Sequence, residues 1–376
     1  MKKLFLITII NILWFSASFA QSYSVGYRSQ TFRDVDRSNR SVRTIIYYPA
    51  TSAGSNRPIA NGSFPVIVLG HGFVMGSDAY QNFYNELVPQ GYIVVFVNTE
   101  GSIFANHDAF SKDMAFMVNA MQNENNVSGS IFQGKINDKT ALLGHSMGGG
   151  AATVAASMVS VATLVTFAPA QLRINTLTPA TQVTAPSIVF SGSGDGVTPP
   201  AQEHLPIYNN LGAACKYFIS ILGGAHCYYA NSNFNCDFGE NFSSGNIQIS
   251  RNEQQAITFQ FLNSWLAYTL KSDLSALQTF LSDLDSSTAI EPQNDCSSTA
   301  IASKIVIFPN PASQNLSIQL SDSHQFAKIE LYNEQGHLML SSQKNQVNIA
   351  QLKRGQYFAK IHLKNHSVIK KQVLIQ

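Results

Sequence analysis

Short apolar runs alternate with longer stretches of helical periodicity through most of the chain. The runs are rich in β-branched residues, and most intervals between them are long enough for a helix. This pattern predicts strands at residues 43–48, 65–69, 92–98, 140–144, 164–167, 187–191 and 216–222, and helices at 78–90, 110–123, 148–157 and 200–211. Continuous apolar strands separated by helices are typical of a mostly parallel sheet that is covered on both faces. Ligands bind such sheets at the carboxyl ends of the strands.

The period of the pattern changes towards the C-terminus. Residues 253–284 have the periodicity of one or two closing helices, and residues 286–303 form a polar, Ser/Thr-rich segment that we interpret as a linker. Short alternating strands follow at 304–308, 316–320, 327–332, 337–341, 356–362 and 367–374. The sequence therefore predicts an α/β domain at residues 21–285 and a small all-β sandwich at residues 304–376.

The first 20 residues have the organisation of a secretory signal peptide. Lys2 and Lys3 precede an apolar run, and small residues end the segment just before Gln21. The alternative is a membrane anchor, but the run is shorter than the ~20 residues that span a bilayer. We therefore expect a secreted or cell-surface protein whose mature chain begins at Gln21.

Export changes the interpretation of the four cysteines, Cys215, Cys227, Cys236 and Cys296. An even number of cysteines in an oxidising compartment favours disulfides, and four cysteines allow three pairings. We favour a bridge between Cys227 and Cys236, which closes a short loop. A zinc site is disfavoured because the spacings contain no Cys-x-x-Cys.

Composition narrows the class of protein further. The chain has 376 residues, of which 45% are hydrophobic and 12% charged, with a formal net charge of +2. These values exclude a disordered chain, a collagen-like repeat and a polytopic membrane protein. Residues 301–376 carry 9 Lys and Arg against 3 Asp and Glu. We interpret this as a solvated basic surface with no nucleic-acid partner, and we expect a monomer because long charged insertions are nearly absent.

One motif carries the candidate chemistry. Gly144-His145-Ser146-Met147-Gly148 follows a predicted strand and opens a predicted helix. A nucleophile on a strained turn from strand to helix leaves room only for glycine two residues to either side, and the helix N-terminus supplies free N–H groups. We identify Ser146 as the candidate nucleophile. The alternative is a glycine-rich helix start without catalytic function.

A serine nucleophile needs a base and an acid that orients the base, and behind such a turn they follow in the order acid, then histidine. His226 lies in a glycine-rich loop after the strand at 216–222, and Asp195 lies in the loop after the strand at 187–191. His204 lies nine residues after Asp195, too close to reach the serine. Asp195 and His226 are therefore the predicted acid and base, with a turn aspartate and a structural histidine as the alternatives.

Two backbone N–H groups are expected to stabilise the oxyanion of the intermediate. One belongs to Met147, the residue after the nucleophile. The other belongs to Phe73, in the loop Gly70-His71-Gly72-Phe73 after the strand at 65–69. We interpret His71 as a residue that braces this loop.

These motifs, with the segment from Asp195 to Tyr208 and the loop Gly223-Gly224-Ala225-His226, resemble the bacterial cutinase and poly(ethylene terephthalate) hydrolase branch of the α/β-hydrolases. The resemblance covers about residues 25–270. It implies a carboxylic-ester hydrolase that cleaves polyesters through an acyl-enzyme, with an open cleft, no metal and no organic cofactor. It also implies that Phe73, Met147 and Val197 contact the ester and its flanking groups.

Two positions depart from the family pattern. Family members usually carry Trp after Ala-Pro, where the indole stacks on an aromatic ring of the substrate, whereas this chain has Ala170. One aromatic stack contributes ~0.5–1.5 kcal/mol beyond burial. Gly192 stands three residues before the acid, so the cysteine bridge that some relatives form there is missing. A lipase, a small-ester esterase or a chlorophyllase-like hydrolase stays open as an alternative, as does a non-catalytic adhesin.

The C-terminal strands have a resemblance of their own. Phe308-Pro309-Asn310-Pro311-Ala312, the stretches 328–333 and 352–357, and Lys370-Lys371 resemble the type A sorting domain of the type IX secretion system. This implies passage through the periplasm and recognition by the type IX secretion machinery. The alternative is a carbohydrate-binding or stabilising module.

Overall fold

A computed structural model describes residues 22–296, 306–320, 326–364 and 368–376. The predicted signal peptide and residues 297–303 of the predicted linker lie outside these ranges. None of the helices in the described ranges has the length and apolar character needed to cross a bilayer.

A ten-stranded sheet forms the centre of the first domain, with strand order β10-β9-β8-β7-β6-β4-β5-β2-β1-β3. The strands from β4 to β9 are parallel, whereas β1 and β2 at one side and β10 at the other pair antiparallel. The strands are β1 (Ser24–Asp34), β2 (Arg40–Ala50), β3 (Gly54–Ser55), β4 (Phe64–Gly70), β5 (Ile93–Val97), β6 (Ile136–His145), β7 (Thr163–Phe167), β8 (Ser187–Gly192), β9 (Cys215–Ile221) and β10 (Ile290–Cys296).

Helices cover both faces of this sheet. They are α1 (Gln81–Leu87), α2 (His107–Glu124), α3 (Met147–Ala156), α4 (Leu177–Ala180), α5 (His204–Asn210), α6 (Phe234–Ser243), α7 (Arg251–Lys271) and α8 (Leu274–Ser286). Side chains of β4 alternate between the faces, since Ile67 and Leu69 pack with α1, α7 and α8, while Val66 and Val68 pack with α2 and α3. A sheet buried on both faces explains why its central strands are continuously apolar. The α/β-hydrolase architecture is confirmed.

The predicted linker at 286–303 is wrong for part of its length. Residues 287–289 follow α8, but Ile290–Cys296 form strand β10, which pairs antiparallel with β9 from Ile290 opposite Ile221 to Cys296 opposite Cys215. Most of its side chains are exposed, so an apolar pattern is missing. An edge strand needs only backbone partners from its neighbour, and a disulfide between Cys215 and Cys296 ties the strand to the sheet.

The second disulfide joins Cys227 to Cys236, as predicted. Among the elements with no counterpart in the prediction are strand β1 and helix α6. Strand β1 is a polar, half-exposed strand that pairs along its whole length with β2. Helix α6 presents its aromatic residues to solvent, contrary to the rule that a surface helix buries its apolar side.

The C-terminal domain contains two small antiparallel sheets, as the alternating pattern predicts. One has the order β11-β12-β15 and the other β14-β13-β16-β17. Leu316 and Ile318 from the first sheet share a buried cluster with Ile329, Leu331 and Ile361 from the second. The strands are β11 (Val306–Phe308), β12 (Asn315–Gln319), β13 (Phe326–Tyr332), β14 (Leu338–Ser342), β15 (Gln346–Asn348), β16 (Gly355–Leu363) and β17 (Val368–Ile375).

Candidate active site

Ser146 occupies a strained turn between β6 and α3. Its backbone angles are φ 56° and ψ −122°, a region that residues other than glycine rarely adopt. The backbone around it holds this geometry, because Ser146 donates its N–H to Phe167 O at 3.0 Å while its carbonyl accepts the N–H of Ala170 at 3.0 Å. The turn places Ser146 at the carboxyl edge of the sheet, where the sequence predicts the site.

The two glycines of the motif are required by backbone contacts. A Cβ on Gly144 would lie 2.1 Å from Gly148 O, and a Cβ on Gly148 would lie 2.3 Å from the backbone carbonyl of Gly70. Neither carbonyl can move without displacing a strand or the helix. The glycine spacing of the motif therefore has its physical cause in the close approach of α3 to β4 and β6.

Asp195 and His226 are hydrogen-bonded to each other. His226 Nδ1 donates to Asp195 Oδ2 at 2.9 Å, and both side chains are buried. The other carboxylate oxygen accepts the N–H groups of Val197 at 2.9 Å and Thr198 at 2.8 Å. Burial acts to raise the pKa of Asp195, but the charge and hydrogen bond of His226, with the Thr198 N–H, outweigh it and lower the pKa below its usual value.

Ser146 Oγ makes no hydrogen bond to His226 among the described residues. Its neighbour His145 does link the turn to the histidine loop, because the two imidazole rings lie 4.9 Å apart and His145 Nε2 donates to the carbonyl of His226 at 3.0 Å. Hydrogen bonds between nucleophile and base are often long in substrate-free sites and shorten when the substrate binds.

His145 also connects the turn to the loop that carries Phe73. Because His145 Nε2 donates to a carbonyl, the neutral ring accepts at Nδ1, and the Tyr80 hydroxyl donates to that nitrogen at 2.9 Å. Tyr80 Oη in turn accepts the N–H of Gly72 at 2.7 Å. Burial lowers the pKa of His145 to about 3, so the ring stays neutral and this tautomer persists at neutral pH.

A second histidine reaches Asp195, which the sequence analysis missed. His204 Nε2 lies 3.5 Å from Asp195 Oδ2 and 2.9 Å from Thr198 Oγ1, and its Nδ1 lies 2.8 Å from Ser191 Oγ. Thr198 Oγ1 also lies 3.0 Å from Asp195 Oδ2. His204 is the first residue of α5. Its closeness to Asp195 in sequence makes it unsuitable as the base. The same closeness allows its side chain to support Asp195.

The loop predicted to hold the oxyanion has an available donor. Hydrogen bonds occupy the N–H groups of Gly72 and Met75, whereas none is found for Phe73 N–H among the described residues. Met147 is the first residue of α3, and a helix leaves the first N–H groups without intrahelical partners.

In the same loop, Val74 has a positive φ of 56°, a strained conformation for a β-branched residue. His71 braces the loop through two contacts of 2.8 Å, to the Gly72 and Thr99 carbonyls.

Of the three predicted contact residues, Ala170 has a direct hydrogen bond to Ser146 in the described part of the chain. Ala170 is half-buried and donates its N–H to Ser146 O. Phe73 is 46% exposed and Val197 is 36% exposed, so both present apolar surface to solvent. Within the described ranges, no group of three or more His, Cys, Asp and Glu side chains is arranged to hold a metal ion.

Buried neutral histidines predict a pH-dependent stability. Burial is the main cause that lowers the pKa of both His145 and His204 to about 3, against the ordinary value of 6.5. Between these values the unfolded chain binds protons that the folded chain does not, so stability is lost as the pH falls below 6.5. Each histidine contributes up to about 1.4 kcal/mol per pH unit to the free energy of unfolding.

Urea unfolding between about pH 7 and pH 5 measures this dependence. The His204→Gln variant should show a shallower dependence than the parent, because one of the protons taken up on unfolding is gone. His337→Gln, at an exposed position of the C-terminal domain, is the matched control and should leave the slope unchanged. Equal slopes for His204→Gln and the parent would contradict the prediction.

Comparisons with known proteins agree with the fold. Residues 19–244, more than half of the chain, match the family model described as PET hydrolase-like. Residues 306–376 match the secretion system C-terminal sorting domain. A sorting domain of this kind indicates type IX secretion to the cell surface or the outside.

A curated relative gives a more distant likeness. The bis(hydroxyethyl) terephthalate hydrolase of Streptomyces coelicolor is 25% identical over 167 residues, which cover 44% of this chain. The chain spans about half the length of that relative, at 49%. Together with the α/β-hydrolase sheet and the turn that carries Ser146, the match over residues 19–244 shows that the chain belongs to the PET hydrolase-like family.

Proposed function

We propose that this chain is a secreted serine carboxylic-ester hydrolase that cleaves ester bonds in polyesters such as poly(ethylene terephthalate). The observation that carries the proposal is the 2.9 Å hydrogen bond between His226 Nδ1 and the buried Asp195, at the sheet edge where Ser146 is held in its strained turn. Family membership and the terephthalate-ester hydrolase among its relatives support the substrate class.

The proposed reaction is acyl transfer in two steps. Since His226 Nδ1 donates to Asp195, its Nε2 is free to accept the proton of Ser146 as the hydroxyl oxygen attacks the ester carbonyl carbon. The carbonyl π electrons move to oxygen, and the N–H groups of Phe73 and Met147 stabilise the oxyanion. The intermediate collapses, and the alcohol leaves with the proton from His226.

Water completes the cycle by the same route. His226 removes a proton from the water as it attacks the acyl group on Ser146, and returns that proton to Ser146 Oγ when the carboxylic acid leaves. Asp195 stays ionised throughout, which agrees with the lowered pKa of its carboxyl group. No step of this route uses a metal or an organic cofactor.

The proposal also includes the substrate contacts, the mature N-terminus, the oligomeric state and the partners. Phe73, Ala170 and Val197 contact the acyl and alcohol groups on either side of the ester. The mature enzyme begins at Gln21, acts as a monomer and has no nucleic-acid partner. The type IX secretion machinery recognises its C-terminal domain. Since Ala170 stands where family members stack an indole on the substrate, hydrolysis of a small ester with little polymer activity is the second candidate.

The test uses the chain from residue 21 to 376 on amorphous poly(ethylene terephthalate) film, on bis(hydroxyethyl) terephthalate and on a short-chain nitrophenyl ester. We expect soluble terephthalate products from the film above the enzyme-free control, measured by liquid chromatography. Cleavage of both small esters without release from the film would favour the second candidate. Inactivity on all three substrates would contradict the proposed hydrolase.

A further inference from the structure

Helix α6 presents a row of aromatic rings to solvent. Phe234, Phe238 and Phe242 recur every four residues and are 81%, 55% and 79% exposed. Neighbouring ring centroids lie 5.8 Å and 4.9 Å apart, so the three rings form one continuous surface, here called the Phe ridge. Exposing three phenyl rings costs burial energy that an ordinary surface helix gains.

The opposite side of α6 is polar and tightly held. The buried carboxylate of Glu240 accepts the backbone N–H groups of His226 at 3.3 Å and Cys227 at 2.5 Å. The disulfide between Cys227 and Cys236 fixes the first half of the helix to the same loop, and Asp237 pairs with Arg251 at 2.6 Å. The helix is therefore inverted, because its charged groups are paired with other parts of the domain and its aromatic residues are exposed.

Both ends of α6 are hydrogen-bonded to loops that carry predicted site residues. At one end, Asn235 Nδ2 donates to Val74 O at 2.9 Å, beside the half-exposed Phe73. At the other end, Ser244 Oγ accepts the N–H of Gly196 at 2.8 Å, beside Val197. The helix that carries the Phe ridge is thus hydrogen-bonded at both ends to loops of the candidate active site.

We propose that the Phe ridge is an adsorption surface for an aromatic polyester chain, which it holds beside Ser146. This inference rests on the proposed function and goes beyond it, since it assigns polymer binding to a helix outside the triad. The other exposed residues of α6, Asn235, Asn241 and Ser243, carry no charge, and the partly exposed Asp237 is paired with Arg251. An uncharged aromatic surface suits a neutral polymer with aromatic rings, whereas an anionic membrane or a nucleic acid requires Lys and Arg.

The experiment measures adsorption without hydrolysis. The chain from residue 21 to 376 carries Ser146→Ala, and its binding isotherm on poly(ethylene terephthalate) film is compared with that on cellulose film. Replacing Phe234, Phe238 and Phe242 together by Gln should weaken adsorption to the polyester by about tenfold or more, because three aromatic contacts are lost. Adsorption to cellulose should not change.

The matched control removes three exposed apolar residues elsewhere, with Leu338→Gln, Met339→Gln and Phe358→Gln in the C-terminal domain. It should adsorb to polyester like the parent. Near-ultraviolet circular dichroism and the thermal midpoint verify that both triple variants are folded. Equal adsorption of the α6 variant and the parent would overturn the proposal, as would an equal loss in the control variant.

Sedimentation tests whether a second copy of the chain occupies the ridge. If sedimentation shows the parent as a dimer and the α6 variant as a monomer, a second copy of the chain covers the ridge and the proposal is overturned. The adsorption measurement uses the Ser146→Ala chain and therefore does not depend on ester hydrolysis. Weakened adsorption by the α6 variant therefore supports the ridge even if the unsubstituted chain releases nothing from the film, a result that would contradict only the proposed polyester hydrolysis.

Discussion

Replacement of Ser146 by Ala is expected to lower kcat/KM on a short-chain nitrophenyl ester by at least about 10³-fold. Ser146 Oγ is the only atom of the proposed triad that forms a bond to the substrate carbon, so its loss removes the acyl-enzyme route. A residual rate above that in water should remain, because the N–H groups of Phe73 and Met147 still polarise the carbonyl. Initial rates under substrate-limited conditions measure the effect.

Ser157→Ala is the matched control for this substitution. Ser157 lies just after the far end of α3, where its hydroxyl donates to Val154 O at 2.7 Å, and its loss should leave the rate within about twofold because surface substitutions change little. A fluorophosphonate probe should label the parent and Ser157→Ala at Ser146, identified by peptide mass, and should not label Ser146→Ala. Retention of more than a tenth of the activity by Ser146→Ala would refute the assigned nucleophile.

Gly148→Ala is expected to cause the largest loss of stability, more than about 4 kcal/mol, which leaves little folded protein. The new Cβ would lie 2.3 Å from Gly70 C and Gly70 O and 2.7 Å from His71 O. All three atoms belong to the backbone at the end of β4, so no side-chain rotation relieves the clash. The helix α3 must move away from the sheet, and that movement also disturbs Ser146.

The yield of soluble protein and the urea midpoint measure this effect. Gly239→Ala is the control, because Gly239 is also helical but a Cβ there would meet nothing within 4 Å. Since Gly within a helix is less stable than Ala by roughly 0.5–1 kcal/mol, the control variant should unfold at the same or a slightly higher urea concentration. A Gly148→Ala variant with an unchanged midpoint would show that the contact between α3 and β4 is not limiting.

Features that depend on local sterics and on the period of burial could be predicted from the amino-acid sequence. The spacing of Gly144, Ser146 and Gly148 reports a turn whose neighbours have no room for a Cβ, and that requirement is visible in a few consecutive letters. Continuous apolar strands separated by helices report a sheet buried on both faces. The Cys227–Cys236 bridge could also be predicted, because its two cysteines are near neighbours in the chain.

Features whose partners lie far apart in sequence became visible only in the folded chain. Strand β10 is polar and reads as a linker, yet it joins the sheet because the backbone of β9, some 80 residues earlier, offers it hydrogen-bond partners. His204 was excluded as the base because it follows Asp195 closely in sequence. The fold shows that its imidazole lies next to the carboxylate of Asp195. Helix α6 shows its aromatic side to solvent because Glu240 and the disulfide hold the other side. In each case, pairing of polar groups across the fold, which leaves no periodic pattern, fixed the position.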